Sequence, residues 1–251
     1  MKIIQITDIH IGTEGEASSK KIDTRQTFSS IIAEIKNRDF DYLILTGDLC
    51  LDSTFDSGIY LWIQKKLNSL SRPYFVIPGN HDDPRLLAEV FGYHNKIKNG
   101  ALYWEHCIQG EQFIFIDSSP YVVSAEQHQW LNQIIAQSQQ NRFFIFMHHP
   151  PCHVGSLHMD AHYPLRERDA FMNLLLKHNK TFYIFTGHYH CEKIIIQKNV
   201  HVFVTPSTYY QIDERYEDAR VKNNLIGYRE IEISDHVIRT TVNYIESVSP
   251  C

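Results

Sequence analysis

Apolar residues in this chain fall in short β-branched or aromatic runs, separated by stretches in which they recur every three or four positions. Ile3-Ile4-Gln5-Ile6, Tyr42-Leu43-Ile44-Leu45 and Phe182-Tyr183-Ile184-Phe185 read as buried strands, and Tyr74-Phe75-Val76-Ile77 and Phe143-Phe144-Ile145-Phe146 repeat the theme. Between them, Phe28, Ile31, Ile32 and Ile35 predict an amphipathic helix over about 21 to 37, and Ile59, Ile63 and Leu67 a second over about 56 to 70. Pro84 after Asp82-Asp83 fits Asp83 as N-cap and proline in the first turn of a short helix to Phe91. Ser124-Ala125-Glu126-Gln127 matches a capping box, followed by the apolar face Trp130, Leu131, Ile134 and Ile135. Phe171, Leu174 and Leu175 mark a helix over about 167 to 178. Leu102-Tyr103-Trp104 and Phe113-Ile114-Phe115-Ile116 read as two strands joined through Gln109-Gly110-Glu111, and beyond His190 the pattern is all strand, with hairpin signals at Lys198-Asn199 and Ser234-Asp235.

Strands alternating with helices, then a run of strands, predict an α/β fold: a four-layer α/β/β/α sandwich of two mixed sheets with helices outside. A chain of 251 residues, 43% apolar and 21% charged, suits a single domain over residues 1–251. The net charge of −5 and the lack of a Lys/Arg cluster argue against an extended nucleic-acid surface. No run approaches the roughly 18 apolar residues of a membrane span, and the chain enters a strand at once, so a cytoplasmic location away from membranes is expected. Five widely spaced cysteines (Cys50, Cys107, Cys152, Cys191, Cys251) read as reduced thiols. The apolar segment Val200–Val204 would support a homodimer if exposed, or lie inside a sheet.

The candidate chemistry sits at the ends of the strands. Each of the five apolar runs leads into metal-ligand side chains: Asp8-Ile9-His10, Gly47-Asp48, Gly79-Asn80-His81-Asp82, His148-His149-Pro150 and Gly187-His188-Tyr189-His190. Six of the fifteen histidines fall in these segments; His94, His106, His128, His178, His201 and His236 have no ligand partners nearby in sequence and read as structural or solvent-facing. Asp8 and His10, one residue apart in extended backbone, can share one ion. Asp48 is a candidate to bridge two; Asn80, His148 and His188 complete the second ion, and His190 returns to the first. This O/N set without thiolate suits Mn, Fe or Zn, with Co also compatible. Two such ions roughly 3.5–4 Å apart activate a bridging water for in-line attack at phosphorus. Singly, each segment has an ordinary explanation, since Gly-Asp favours turns; their joint occurrence at strand ends does not.

The ordered series Asp-x-His, Gly-Asp, Gly-Asn-His-Asp, His-x-Pro and Gly-His-x-His resembles the calcineurin-like metallophosphoesterase superfamily over nearly the whole chain. The strings around Asn80 and His148, with Gly155-Ser156, Met159-Asp160 and Thr205-Pro206-Ser207-Thr208, are similar to its bacterial class III cyclic-nucleotide phosphodiesterase and glycerophosphodiesterase branch. The resemblance implies that Asp8, His10, Asp48 and His190 hold one ion and Asp48, Asn80, His148 and His188 the other. His148, two before the proline, is then the ligand, and His149 stands behind it or faces substrate. His81 is implied to act on the phosphoryl group, as a stabiliser of charge or as a general acid.

The nearest arginines, Arg25, Arg85 and Arg166, adjoin no motif, which favours a monoanionic diester over a monoester dianion. The expected function is hydrolysis of small phosphodiesters, 3′,5′-cyclic nucleotides such as cAMP first, by a metal-bridging hydroxide. The alternatives are a phosphomonoesterase, a glycerophosphodiesterase, a nuclease or a non-catalytic metal-binding scaffold. Substrate contacts are expected from Asn80, His81 and His149, from His153, His158 and Asp160 in the long segment from about 150 to 165, whose length suggests function, and from Tyr209 and Tyr210, whose rings either stack on a base or pack on a sheet.

Overall fold

The structure is a computed structural model that describes residues 1–13, 15, 20, 22–52 and 56–246. Cys251, and Lys21 where the first helix was expected to begin, lie outside these residues. The strands of the two large sheets are β1 (Lys2–Ile6), β2 (Tyr42–Thr46), β3 (Tyr74–Ile77), β4 (Trp104–Ile108), β5 (Glu111–Phe115), β6 (Arg142–Phe146), β7 (Thr181–Thr186), β8 (Lys193–Gln197), β9 (Val200–Val204), β10 (Ile226–Ile233) and β11 (Ile238–Ile245). The helices are α1 (Thr24–Lys36), α2 (Ser57–Asn68), α3 (Pro84–Phe91), α4 (Ala125–Gln137), α5 (Leu157–His162) and α6 (Arg168–Leu176).

One sheet runs β11-β10-β1-β2-β3 and the other β8-β9-β7-β6-β5-β4. Both are mixed: β1, β2 and β3 are parallel, as are β5, β6, β7 and β9, while β10, β11, β8 and β4 join antiparallel. The parallel strands are covered on both faces, which is why they read as unbroken apolar runs. Helices α1, α2 and α3 bury Phe28, Ile31, Ile63, Leu67 and Leu87 in one core with the first sheet. On the second sheet the strand alternation sorts residues by face: Ile114, Phe143, Ile145 and Ile184 pack with Leu131, Ile135, Phe171 and Leu175 of α4 and α6, whereas Phe113, Phe115, Phe144, Phe146, Phe185 and Phe203 face the first sheet. That inner face is a row of stacked rings, Phe115–Phe146 at 5.6 Å, Phe146–Phe185 at 5.2 Å and Phe185–Phe203 at 5.0 Å between centroids. The four layers are those expected.

Several local expectations change. The Leu102 N–H is drawn to Asp117 Oδ2 at 2.8 Å, so Ala101–Leu102 leaves the large sheet and pairs with Ile97–Lys98 in a two-stranded ribbon; the sheet strand begins at Trp104. Ser124 caps α4 by accepting from Gln127 N, but the Gln127 side chain bonds both backbone groups of Asp117 rather than closing a capping box. The segment from 150 to 165 contains α5. Val200–Val204 is flanked by β8 and β7 and offers no free edge; the exposed edge is β8, with Ile194 and Ile196 open to solvent. Asp83 and Pro84 start α3 as read. No helix of the described residues is long and apolar enough to cross a membrane.

Phe146 is central to the ring row and fully buried, so Phe146→Ala is expected to cost about 3–5 kcal/mol of unfolding free energy. Urea unfolding of the metal-free protein measures this; a loss below about 1 kcal/mol would mean that the row is not a main source of stability.

Candidate metal centre

The site lies where the C-terminal ends of the parallel strands of both sheets meet, the edge at which open α/β sheets bind ligands. Asp8 and His10 follow β1, Asp48 follows β2, Asn80 and His81 follow β3, His148 follows β6, and His188 and His190 follow β7. Five of these take left-handed backbone angles unusual for non-glycine residues: Asp8 (φ 55°), His10 (45°), Asp48 (51°), His188 (67°) and His190 (47°). Each such residue costs on the order of 1–3 kcal/mol, and the surroundings hold it in place. Asp8 N donates to Gly47 O and His10 N to Asp48 O, both at 3.0 Å, and His188 N donates across the sheets to Asp8 Oδ2 at 2.9 Å. The glycines of the motifs are steric necessities. A Cβ on Gly187 would overlap Thr7 Oγ1 and Asp8 Oδ2, and one on Gly79 would overlap the amide and carboxylate of Asp48.

Three imidazoles are aimed by backbone carbonyls. His148 Nδ1 lies 2.7 Å from Thr46 O, His188 Nε2 2.9 Å from Tyr163 O and His190 Nδ1 3.0 Å from Tyr210 O. A carbonyl only accepts, so the N–H is donated outward and the other ring nitrogen of each turns into the site, the usual outer support of metal-binding histidine. His190 Nε2 then sits 3.3 Å from Asp8 Oδ1 and 3.2 Å from His10 Nε2, and His148 Nε2 sits 3.3 Å from Asp48 Oδ1. The possible ligand atoms of Asp8, His10 and His190 fall within 4.8 Å of one another, as do those of Asp8, Asp48 and His148, and of His10, Asp48 and His81. Asp48 thus stands between the two groups of ligands. Asn80 Oδ1 is buried without a hydrogen-bond partner, and buried His148 Nε2 faces only carboxylates. Converging O and N atoms left unpartnered in a buried spot fit divalent cations.

Charge distribution agrees with that fit. Burial would raise Asp8, but His190 and then His148 outweigh it and bring the carboxyl down to about 2. Asp48 is likewise held well below the carboxylate range, burial being overcome by His148 and His10. Burial lowers His10 and His188 to about 3, so both are neutral and free to coordinate at neutral pH. His148 is the exception: burial would lower it, yet Asp48 and Asp8 raise it to about 9.

A cavity of about 450 Å³ opens over the site. Of the residues expected to contact substrate, Asn80, His81, His158, Tyr209 and Tyr210 line it. Three others do not. His149 is fully buried beneath the cavity, with Nδ1 2.9 Å from Ser118 Oγ and its ring against Tyr121 and His188, and its possible ligand atom falls within 4.8 Å of those of His148 and His188. His153 points into solvent beside Arg168. Asp160 is a loop brace, its carboxylate accepting from the backbone N–H groups of Val154, Gly155 and Ser156 and from Tyr189 Oη. Sequence reasoning passed over Tyr121 and Tyr163, which also line the cavity. Asp82, in the Asn80 string, carries a role that no local pattern in the sequence indicates. The Asp82 carboxylate gathers the N–H groups of Gly79 (2.8 Å), Leu49 (3.1 Å) and Cys50 (3.2 Å) and the Tyr60 hydroxyl (3.1 Å), locking the loops that present Asp48 and Asn80 against each other.

The profile of the calcineurin-like phosphoesterases matches residues 1–192. The chain belongs to this family. Similar proteins include a probable cyclic nucleotide phosphodiesterase of Fibrobacter succinogenes, 33% identical and covering 97% of this chain and 94% of that protein. A 3′,5′-cyclic adenosine monophosphate phosphodiesterase of Vibrio vulnificus is 27% identical over 99% and 92%, and a probable glycerophosphodiester phosphodiesterase of Arcobacter nitrofigilis 27% identical over 84% and 80%. Among solved structures, a dimetal phosphatase from Danio rerio superposes with a TM-score of 0.73 at 12% identity, covering 96% of this chain and 95% of that one, a likeness of fold.

With its pKa raised to about 9 by Asp48 and Asp8, His148 is expected to carry a proton at pH 7.5 in the metal-free protein, which it would have to lose to hold an ion. Zinc loading in weak buffer at that pH is therefore expected to release protons, seen with an indicator dye, and metal affinity to rise with pH toward about 9. Pre-neutral imidazole at His148 would give a pH-independent affinity above pH 7. Gly187→Ala is expected to fold but to lose metal, because the added methyl displaces Asp8; metal content after dialysis checks it.

Proposed function

We propose that this metal-dependent phosphoric diester hydrolase acts on small phosphodiesters, 3′,5′-cyclic nucleotides and cAMP first, using two transition-metal ions. The observation that carries the reading is the cavity itself. Its floor is Asp48, Asn80, His10, His188 and His190; its walls hold Tyr121, Tyr163, Tyr209 and Tyr210; and no Lys or Arg lines it among the described residues. Arg25 is engaged with Gly12 O, Arg85 lies at Gly100, Arg166 donates its backbone N–H to Tyr121 O while its charge reaches the Tyr121 hydroxyl from outside the cavity, and Lys20 lies against the Tyr210 ring, 5.6 Å from its centroid, rather than lining the cavity. A monoester dianion calls for fixed cations beyond the metals, whereas a diester carries a single charge. Tyrosine faces suit a flat base, which a glycerol diester lacks. The relatives named for cyclic nucleotides support the same choice.

In this reading Asp8, His10, Asp48 and His190 hold one ion, and Asp48, Asn80, His148 and His188 the other, with Mn, Fe or Zn suited to the O/N donors. Bound ions supply an activated water and neutralise phosphoryl charge. The chain does the rest. Asp48 accepts the His81 N–H at 3.0 Å, which fixes the His81 ring beside the Asp48 carboxylate and edge-on to His10. From there His81 donates a proton or hydrogen bond to the phosphoryl group and its leaving oxygen. The tyrosines orient the organic part. Free thiols at Cys50, Cys107, Cys152 and Cys191 suit a cytoplasmic setting.

His81→Ala is expected to keep both ions and to lower kcat by about 10²–10⁴, more for cAMP than for an activated aryl diester. An equal loss on both substrates would remove the general-acid role. With metal-reconstituted protein, kcat/KM for a diester should exceed that for the matching monoester by at least about tenfold; preference for the monoester would overturn the proposed substrate class.

A further inference from the structure

The short helix α5 carries His158 and His162 four residues apart, on one face. Their ring centroids are 4.9 Å apart with planes inclined at 45°. This is close to the arrangement of His10 and His190, at 5.2 Å and 48°, whose Nε2 atoms converge beside Asp8. His158 shares a second feature with the histidines of the catalytic centre. Its Nδ1 lies 2.8 Å from the Glu217 carbonyl, so the N–H is committed outward and Nε2 keeps its lone pair. His162 is exposed and needs no rearrangement of the core to turn toward it.

We propose that His158 and His162 form a further metal site, distinct from the catalytic set, for a borderline divalent cation such as Zn²⁺ or Cu²⁺, with water filling its remaining positions. Paired histidines at i and i+4 on one helix are a recurrent chelating unit for zinc, and imidazole suits these ions better than Mg²⁺ or Ca²⁺. Because His158 and Tyr163 line the catalytic cavity, the ion sits on its rim. Occupied, the rim site narrows the opening, and turnover falls in excess zinc. The arrangement ties the enzyme's output to free metal through His162, which does not line the cavity.

The test uses the full chain with its catalytic centre loaded with zinc, titrated with further Zn²⁺ in equilibrium dialysis. The wild-type protein should take up an additional ion at micromolar free zinc and lose turnover as it binds. His162→Ala should keep its catalytic zinc and its turnover at low zinc, bind the additional ion at least about tenfold more weakly, since loss of even an outer-shell partner costs 10–100-fold, and escape the inhibition. An additional ion absent from the wild type, or bound equally well by His162→Ala, overturns the site. Inhibition that persists unchanged in His162→Ala overturns its effect on turnover.

Discussion

The geometry of the centre depends on one residue, Asp8. Its N–H is bound by the loop after β2, its carboxylate accepts the His188 N–H from the loop after β7, and its carbonyl accepts the Ser207 hydroxyl from the loop after β9. Thr7 beside it donates to the same carboxylate at 2.7 Å. One buried residue, through its side chain and its backbone, thus joins loops from both sheets. A carboxylate taken out of water is tolerated only when surrounded by donors and opposite charge, and at Asp8 these come from backbone and histidines that are themselves fixed in place.

Two consequences follow for the chain as a metal protein. The left-handed residues and the mutual repulsion of the buried Asp8 and Asp48 carboxylates raise the energy of the metal-free state locally, while the phenylalanine row and helix faces supply stability elsewhere. Bound cations relieve the electrostatic part, so folding and metal loading reinforce each other. The site also needs little reorganisation to receive its ions, because the orienting carbonyls of Thr46, Tyr163 and Tyr210 are already engaged with the ligand rings.

Much of this was legible in the sequence, for physical reasons. Parallel strands covered on both faces must be continuously apolar, so their ends are sharp, and the residues that follow Ile6, Leu45, Ile77, Phe146 and Phe185 stood out as ligand types. What escaped detection depends on partners distant in sequence. Asp82 works through the amides of Leu49 and Cys50, more than thirty positions away, and no local pattern announces such a bond. Tyr121 and Tyr163 lie in loops without periodicity. The apolar segment Val200–Val204 could not be assigned to the middle or the rim of a sheet, since both give the same composition; pairing on its two sides decided it. Asp117 diverted Leu102 from the strand in which its apolar neighbours seemed to place it.

Tyr163 and Tyr210 each serve the site twice, by backbone and by ring. Their carbonyls aim His188 and His190, and their side chains wall the cavity. The two duties use different atoms. Exchanging either ring for another side chain would alter what the cavity accepts while leaving the carbonyl where it is, whereas adding or deleting a single residue nearby would withdraw the carbonyl and release the histidine. The walls of this cavity are therefore open to substitution but closed to changes of length, a constraint under which related chains can diverge in substrate while preserving one metal geometry.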